Sequence, residues 1–157
     1  GADALVIETM SDLEEATLAV AAARETKLPV VVCMVFDSGK NKDRTMMGNT
    51  PEQAAEALTA AGADVIGANC GQGIEGFAAI CKRLRAATDR PIWLKPNAGL
   101  PKLVAGRARY NATSEEFAGY IPELIKLGAS FIGGCCGTRP DFIAAIHQRM
   151  HGAQSTI

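Results

Sequence analysis

Three cysteines carry the most pointed chemistry in this chain. Cys135 and Cys136 are adjacent in the run Phe-Ile-Gly-Gly-Cys-Cys-Gly-Thr, residues 131–138. Cys70 closes the run Ala-Asp-Val-Ile-Gly-Ala-Asn-Cys, residues 63–70. Both runs are short and apolar, and each follows a Gly-Ala pair. If they are strands of one sheet pointing the same way, three thiols meet at one edge. Three thiolates leave the fourth position of a tetrahedral zinc open, the mark of a catalytic rather than a structural site. Such an electron-rich metal takes the proton from an incoming thiol, which an ordinary thiol keeps at neutral pH. The bound sulfur stays nucleophilic and suits displacement at an activated methyl group. A hydrolase would want neutral imidazoles and a metal-bound water instead. Adjacent residues of a regular strand face opposite ways, so both cysteines reach one ion only where the strand breaks. Gly133, Gly134 and Gly137 permit that break. The plainer reading of the three is buried small hydrophobes or a vicinal disulfide. Cys33 and Cys81 read as core or helix-face cysteines.

The elements that must position these residues alternate along the chain. Strand candidates are residues 4–8, 30–36, 65–70, 92–96 and 131–135, continuous apolar runs of the kind a covered parallel sheet uses. Ser11–Glu14 and Thr113–Glu116 have the pattern of capping boxes, and Thr50-Pro51 places proline at a first helical position. Phe117, Tyr120, Ile121, Leu124 and Ile125 recur at helical spacing as one stripe, and Phe142, Ile143, Ile146 and Met150 repeat the pattern in a last helix. Gly1-Ala-Asp, Gly62-Ala-Asp and Gly128-Ala-Ser each lead into a strand, a weak internal repeat. Five βα units follow, either a doubly wound open sheet or five of the eight units of a (β/α)₈ barrel. The long polar segments 37–49 and 99–112 follow strand ends, where both folds place their sites. Glu8, Cys70 and the Cys135–Cys136 pair end the first, third and fifth strands. In a barrel, alternate strands fill one interior layer.

Bulk properties exclude several classes. The chain has 157 residues, 48% of them hydrophobic, and a net charge of −1. One domain with a core is expected, with no electrostatic footprint for nucleic acid or an anionic membrane. No apolar run approaches the roughly 20 residues of a membrane span. The opening Gly1-Ala2-Asp3 has no leader pattern, lacks Met and begins almost inside a strand. Five cysteines, an odd number, fit a reduced cytoplasmic protein better than a disulfide scaffold.

Gly-Ala-Asn-Cys at 67–70, Lys-Pro-Asn-Ala-Gly at 95–99 and Gly-Gly-Cys-Cys-Gly-Thr at 133–138 resemble the homocysteine S-methyltransferase family. That family includes the homocysteine domain of cobalamin-dependent methionine synthase and betaine–homocysteine methyltransferase. The resemblance runs through essentially the whole chain. It implies an α/β fold made of the C-terminal five βα units of a (β/α)₈ TIM barrel, and zinc on Cys70, Cys135 and Cys136. It implies homocysteine sulfur as the fourth ligand, Glu8 holding the substrate ammonium, and Asn97 close to the metal, able to fill the open position before substrate arrives. Residues 1–152 then form the homocysteine-binding portion without its first three βα units, and 153–157 form a tail. The methyl donor is left open among methylcobalamin with methyltetrahydrofolate, betaine and S-methylmethionine, with cobalamin entering only indirectly. Exposed sheet edges are association-prone, so pairing with the missing barrel half or with a second copy is expected.

Rival readings remain beside this one. Gly71-Gln-Gly-Ile-Glu-Gly76 is a literal dinucleotide fingerprint, but the next strand ends Lys95-Pro-Asn97 without the acidic residue such a site needs. A non-catalytic half-barrel serving only as an assembly partner is the other. Trp93 reads as core, His147 and His151 as surface, and Lys102, Arg107 and Arg109 as a solvated loop.

Overall fold

The structure, a computed structural model, describes residues 1–152; the expected tail at 153–157 lies outside them. Along the chain run β1 (Leu5–Met10), α1 (Leu13–Arg24), β2 (Val30–Met34), α2 (Pro51–Ala61), β3 (Val65–Cys70), a 3₁₀ turn (Ile74–Gly76) and α3 (Phe77–Ala87). Then come β4 (Ile92–Pro96), the strands β5 (Lys102–Val104) and β6 (Arg107–Arg109), α4 (Ser114–Gly119), α5 (Ile121–Lys126), β7 (Ala129–Ile132) and α6 (Pro140–Gly152).

Five strands form one parallel sheet in the order β1-β2-β3-β4-β7. That order follows the sequence without reversal. A doubly wound sheet reverses at a switch point and has helices on both faces; this one does neither. Ile7, Val30, Val32, Met34, Ile66, Ala68, Ile92 and Leu94 all join the single core beneath the helices. Strand alternation sends the intervening residues to the opposite face. Register lines up Val6, Val31 and Val65 there, and Cys33, Gly67, Trp93 and Phe131 in the next row. On this second face Val6 and Phe131 at the sheet's edges remain 44% and 48% exposed. Trp93 belongs to it too, half-buried rather than in the core as expected, with its ring 5.9 Å from that of Phe131. Sequential order with helices on one side and an uncovered inner face is the geometry of part of a (β/α)₈ barrel.

Local signals explain most element boundaries. The capping boxes at Thr50 with Gln53 and at Thr113 with Glu116 both form, and Pro51 opens α2. The cap expected at Ser11 is instead Asp12, whose carboxylate accepts from the backbone N–H groups of Glu14 and Glu15 at 2.8 and 3.2 Å. Helix α1 starts one residue later than the pattern implies, and a carboxylate there also suits the helix dipole. The helix expected after Thr113 is two short helices meeting at Tyr120. Pro122 lacks the N–H that would have continued the ladder. Its stripe nonetheless works as read: Phe117, Ile121 and Leu124 are buried, Tyr120 is half-buried and only Ile125 turns outward. In α6 Phe142 and Ile146 are buried while Ile143 is exposed. The segment 99–112, expected as loop, contains the antiparallel hairpin β5–β6. The segment 37–49 is tied down by Arg83 of α3, which donates to both carboxylate oxygens of Glu52 at 2.6 and 2.7 Å and to Asp43 at 2.5 Å.

Candidate metal centre at the C-terminal edge of the sheet

Strands β3 and β7 flank β4, so the ends of the third and fifth units face the same rim. Cys70 is the last residue of β3 and takes a φ of +63°, followed by Gly71 at +77°. This left-handed turn takes the chain off the pleat, where alternation would otherwise send Cys70 to the helix side, opposite Asn69. β7 stops at Ile132, earlier than the expected 135. Residues 133–136 leave the regular ladder but stay laced to β4: Gly133 N–H donates to Leu94 O, Cys135 N–H to Pro96 O, and Ala98 N–H to Cys136 O, each at 2.9 Å. The break is closed by Thr138, whose backbone N–H and hydroxyl both donate to Cys135 O, at 3.2 and 2.7 Å. Gly137 sits at φ +82° against the ring of Tyr110, where any Cβ would collide with the aromatic carbons.

The outcome is one cluster. The Sγ atoms of Cys70, Cys135 and Cys136 lie within 4.8 Å of one another, with Cys70 3.6 Å from Cys135 and 3.7 Å from Cys136. All five cysteines are free. The three sulfurs could hold one metal ion. Burial, and then its two sulfur neighbours, push the Cys70 thiol up to about 12. Burial acts the same way on Cys135, but hydrogen bonds from Asn69 and Cys70 outweigh it and its pKa falls below the ordinary thiol value. Cys135 therefore loses its proton more readily than Cys70. Cys33 and Cys81 are buried, as expected, and burial pushes their thiols up to about 12 and about 11.

Two asparagines hold the cluster in place. Asn97 donates from Nδ2 to Gly71 O at 2.9 Å and accepts at Oδ1 from Cys136 N–H at 3.0 Å. Both ends of its carboxamide are thus used by backbone, and it clamps the β3 turn to the cysteine loop. Asn69, which sequence reasoning passed over, donates to Thr9 Oγ1 at 2.7 Å, reaches Cys135 Sγ at 3.6 Å, and accepts from Thr9 N–H at 2.7 Å. The Gly71–Gly76 motif serves the turn itself, with positive φ at Gly71 and Gly73 and a 3₁₀ turn before α3. Glu8 is not a member of the sulfur cluster. It stands on the uncovered face of β1 and is paired with Lys95 of β4, a second residue that sequence reasoning passed over. A lysine inside an otherwise apolar strand was the available signal, because lysine is almost never buried without a partner.

Fold and site together define a (β/α)₈-type domain with three thiols converging at the C-terminal end of its strands. A profile of the homocysteine S-methyltransferase family matches residues 1–150, and the chain belongs to that family. It is 33% identical to the methionine synthase of Mycobacterium leprae over 93% of its own length, and 33% identical to the S-methylmethionine–homocysteine S-methyltransferase of Rattus norvegicus over 94%. The chain spans only 12% of the first relative's length and 44% of the second's. Among solved structures, the metallated form of the homocysteine methyltransferase MmuM from Escherichia coli superposes with a TM-score of 0.73 at 25% identity, covering 95% of this chain and 46% of that one. An archaeal fructose 1,6-bisphosphate aldolase matches at a TM-score of 0.53 and 21% identity, over 97% of this chain and 59% of that one, a likeness of fold alone.

Proposed function

We propose that this chain is the zinc- and homocysteine-binding portion of an enzyme that methylates the homocysteine thiol to give methionine. The observation that carries the reading is the spacing of the sulfurs. Ligands about 2.3 Å from a tetrahedral zinc stand about 3.8 Å apart, and two of the sulfur pairs here already lie at 3.6 and 3.7 Å. An all-thiolate donor set favours zinc over harder cations. Cys70, Cys135 and Cys136 would hold the ion, which when bound supplies acidification of the substrate thiol while keeping its sulfur nucleophilic. The chain's own residues do the rest. Asn69 and Thr138 orient Cys135, Asn97 fixes the backbone of Cys136, and Glu8 takes the ammonium group of the amino acid. The uncovered inner face and the edge strands β1 and β7 are completed by the first three βα units of the barrel, and residues 1–152 are its C-terminal portion. Free thiols fit a reducing cytoplasm, and no helix among the described residues is long and apolar enough to cross a membrane.

The donor is S-methylmethionine, betaine, or methylcobalamin charged from methyltetrahydrofolate. The test supplies reduced, zinc-loaded full-length protein with homocysteine and each methyl-labelled donor in turn. Label is expected in methionine with one donor and to disappear when either zinc or homocysteine is withheld. Zinc-loaded protein that transfers label from none of them would overturn the reading in favour of a non-catalytic assembly role.

A further inference from the structure

Lys95 is the buried charged residue among the described residues, and the sulfur cluster does not use it. It is 7% exposed. Its Nζ lies 4.7 Å from the centre of the Trp93 ring and is hydrogen-bonded to Oε2 of Glu8. Its stem runs beside Gly133, where a Cβ would stand 3.5 Å from Lys95 Cγ. In register it faces Asn69, the residue that donates to Cys135. Lys95 therefore reaches over the inner face, past β3 and β2, from the cysteine side of the sheet to the edge strand β1.

Glu8 is the opposite kind of group. Its side chain is 53% exposed. It sits where the β1–β2 pairing shifts register, just before Thr9 at φ +60°. Among the described residues its other oxygen, Oε1, accepts no protein hydrogen bond. A free glutamate at an edge would sample many rotamers, and fixing it on binding would cost affinity. The buried ammonium removes that freedom in advance, holding one oxygen and leaving the other for a ligand.

We propose that Lys95 is a positioning residue that pre-sets Glu8 to receive the α-ammonium of the substrate, and so sets the preference for an amino-acid thiol over a simple thiol. The inference rests on the assignment of Glu8 to the substrate ammonium. A small positive group that bonds Oε1 completes the carboxylate's pairing without displacing Lys95. A thiol lacking that group gains nothing from Glu8.

Calorimetric titration of zinc-loaded full-length protein tests this with two ligands, homocysteine and 4-sulfanylbutanoate, which is homocysteine without its amino group. Wild type is expected to prefer homocysteine by at least about tenfold, the scale of one charge-assisted hydrogen bond. Lys95→Met should lose most of that preference by weakening homocysteine alone, with 4-sulfanylbutanoate and zinc content unchanged. Lys95→Gln, which keeps a donor without the charge, should fall between. Equal losses for both ligands in both variants would show a merely structural role and overturn the inference, as would a preference that survives in Lys95→Met. A wild type without preference, unaffected by Glu8→Gln, would instead overturn the assignment of Glu8 itself.

Discussion

Cys136→Ser is expected to abolish metal binding and methyl transfer while leaving the fold intact. Cys136 is the exposed member of the cluster, and its contribution to the surrounding architecture is made by its backbone. Its N–H donates to Asn97 and its carbonyl accepts from Ala98, and both bonds survive the substitution. Exchange of sulfur for oxygen at an exposed site changes stability by no more than about 0.5 kcal/mol. The effect on the metal is of another order. Losing a partner that merely orients a ligand typically costs about 10- to 100-fold in affinity, and here one of three ligands itself is lost. Zinc affinity should fall by more than about a hundredfold. Elemental analysis after dialysis, with a urea titration alongside, reads both quantities. Undiminished zinc in the variant would remove Cys136 from the site.

The second large effect is on stability. Phe117→Ala should destabilise the zinc-free protein by about 3–5 kcal/mol, the usual range for truncating a buried phenylalanine. Phe117 is 1% exposed, and its ring meets Phe142 edge-on, with centroids 5.4 Å apart at 79°. That geometry adds to the plain burial of area. The pair joins α4 to α6, and α6 begins at Pro140, directly after the loop that carries Cys135, Cys136 and Thr138. Loosening the joint should therefore also weaken the metal site, since binding free energy is drawn from strands and loops already in place. Denaturant unfolding without zinc isolates the packing cost from ligand linkage. A loss below about 1 kcal/mol would mean that the α4–α6 contact does not anchor the last unit.

Five strands and the identity of the sulfur cluster were legible in the sequence for a common reason. Val30–Met34 or Ile92–Leu94 must be apolar to be buried, and the cysteines occur where such runs stop. The end of β7 was less legible because Gly133-Gly134 continues the spacing of the strand while freeing the backbone to leave it. The β5–β6 hairpin was invisible for a different reason. Its residues are all exposed, and its turn is built on Ala105 and Gly106 at φ +50° and +73°. Ala-Gly is a weak signal beside the Asn-Gly that such turns usually carry. Glu8 was read as the end of its strand, whereas β1 runs on to Met10 beyond a shift of register. Its pairing with Lys95 was not readable, because the two lie 87 residues apart and meet only through the curvature of the sheet. The clamp that Asn97 makes between two backbone turns was not readable either, because Gly71 and Cys136 lie 26 and 39 residues from it in the chain.

The three sulfurs are proposed to form a zinc site with room for a fourth sulfur from the substrate. X-ray absorption at the zinc edge of reduced, zinc-loaded protein counts them directly. Three sulfur neighbours are predicted without ligand and four with homocysteine. Fewer than three sulfurs, or a count that homocysteine leaves unchanged, would rule out such a site.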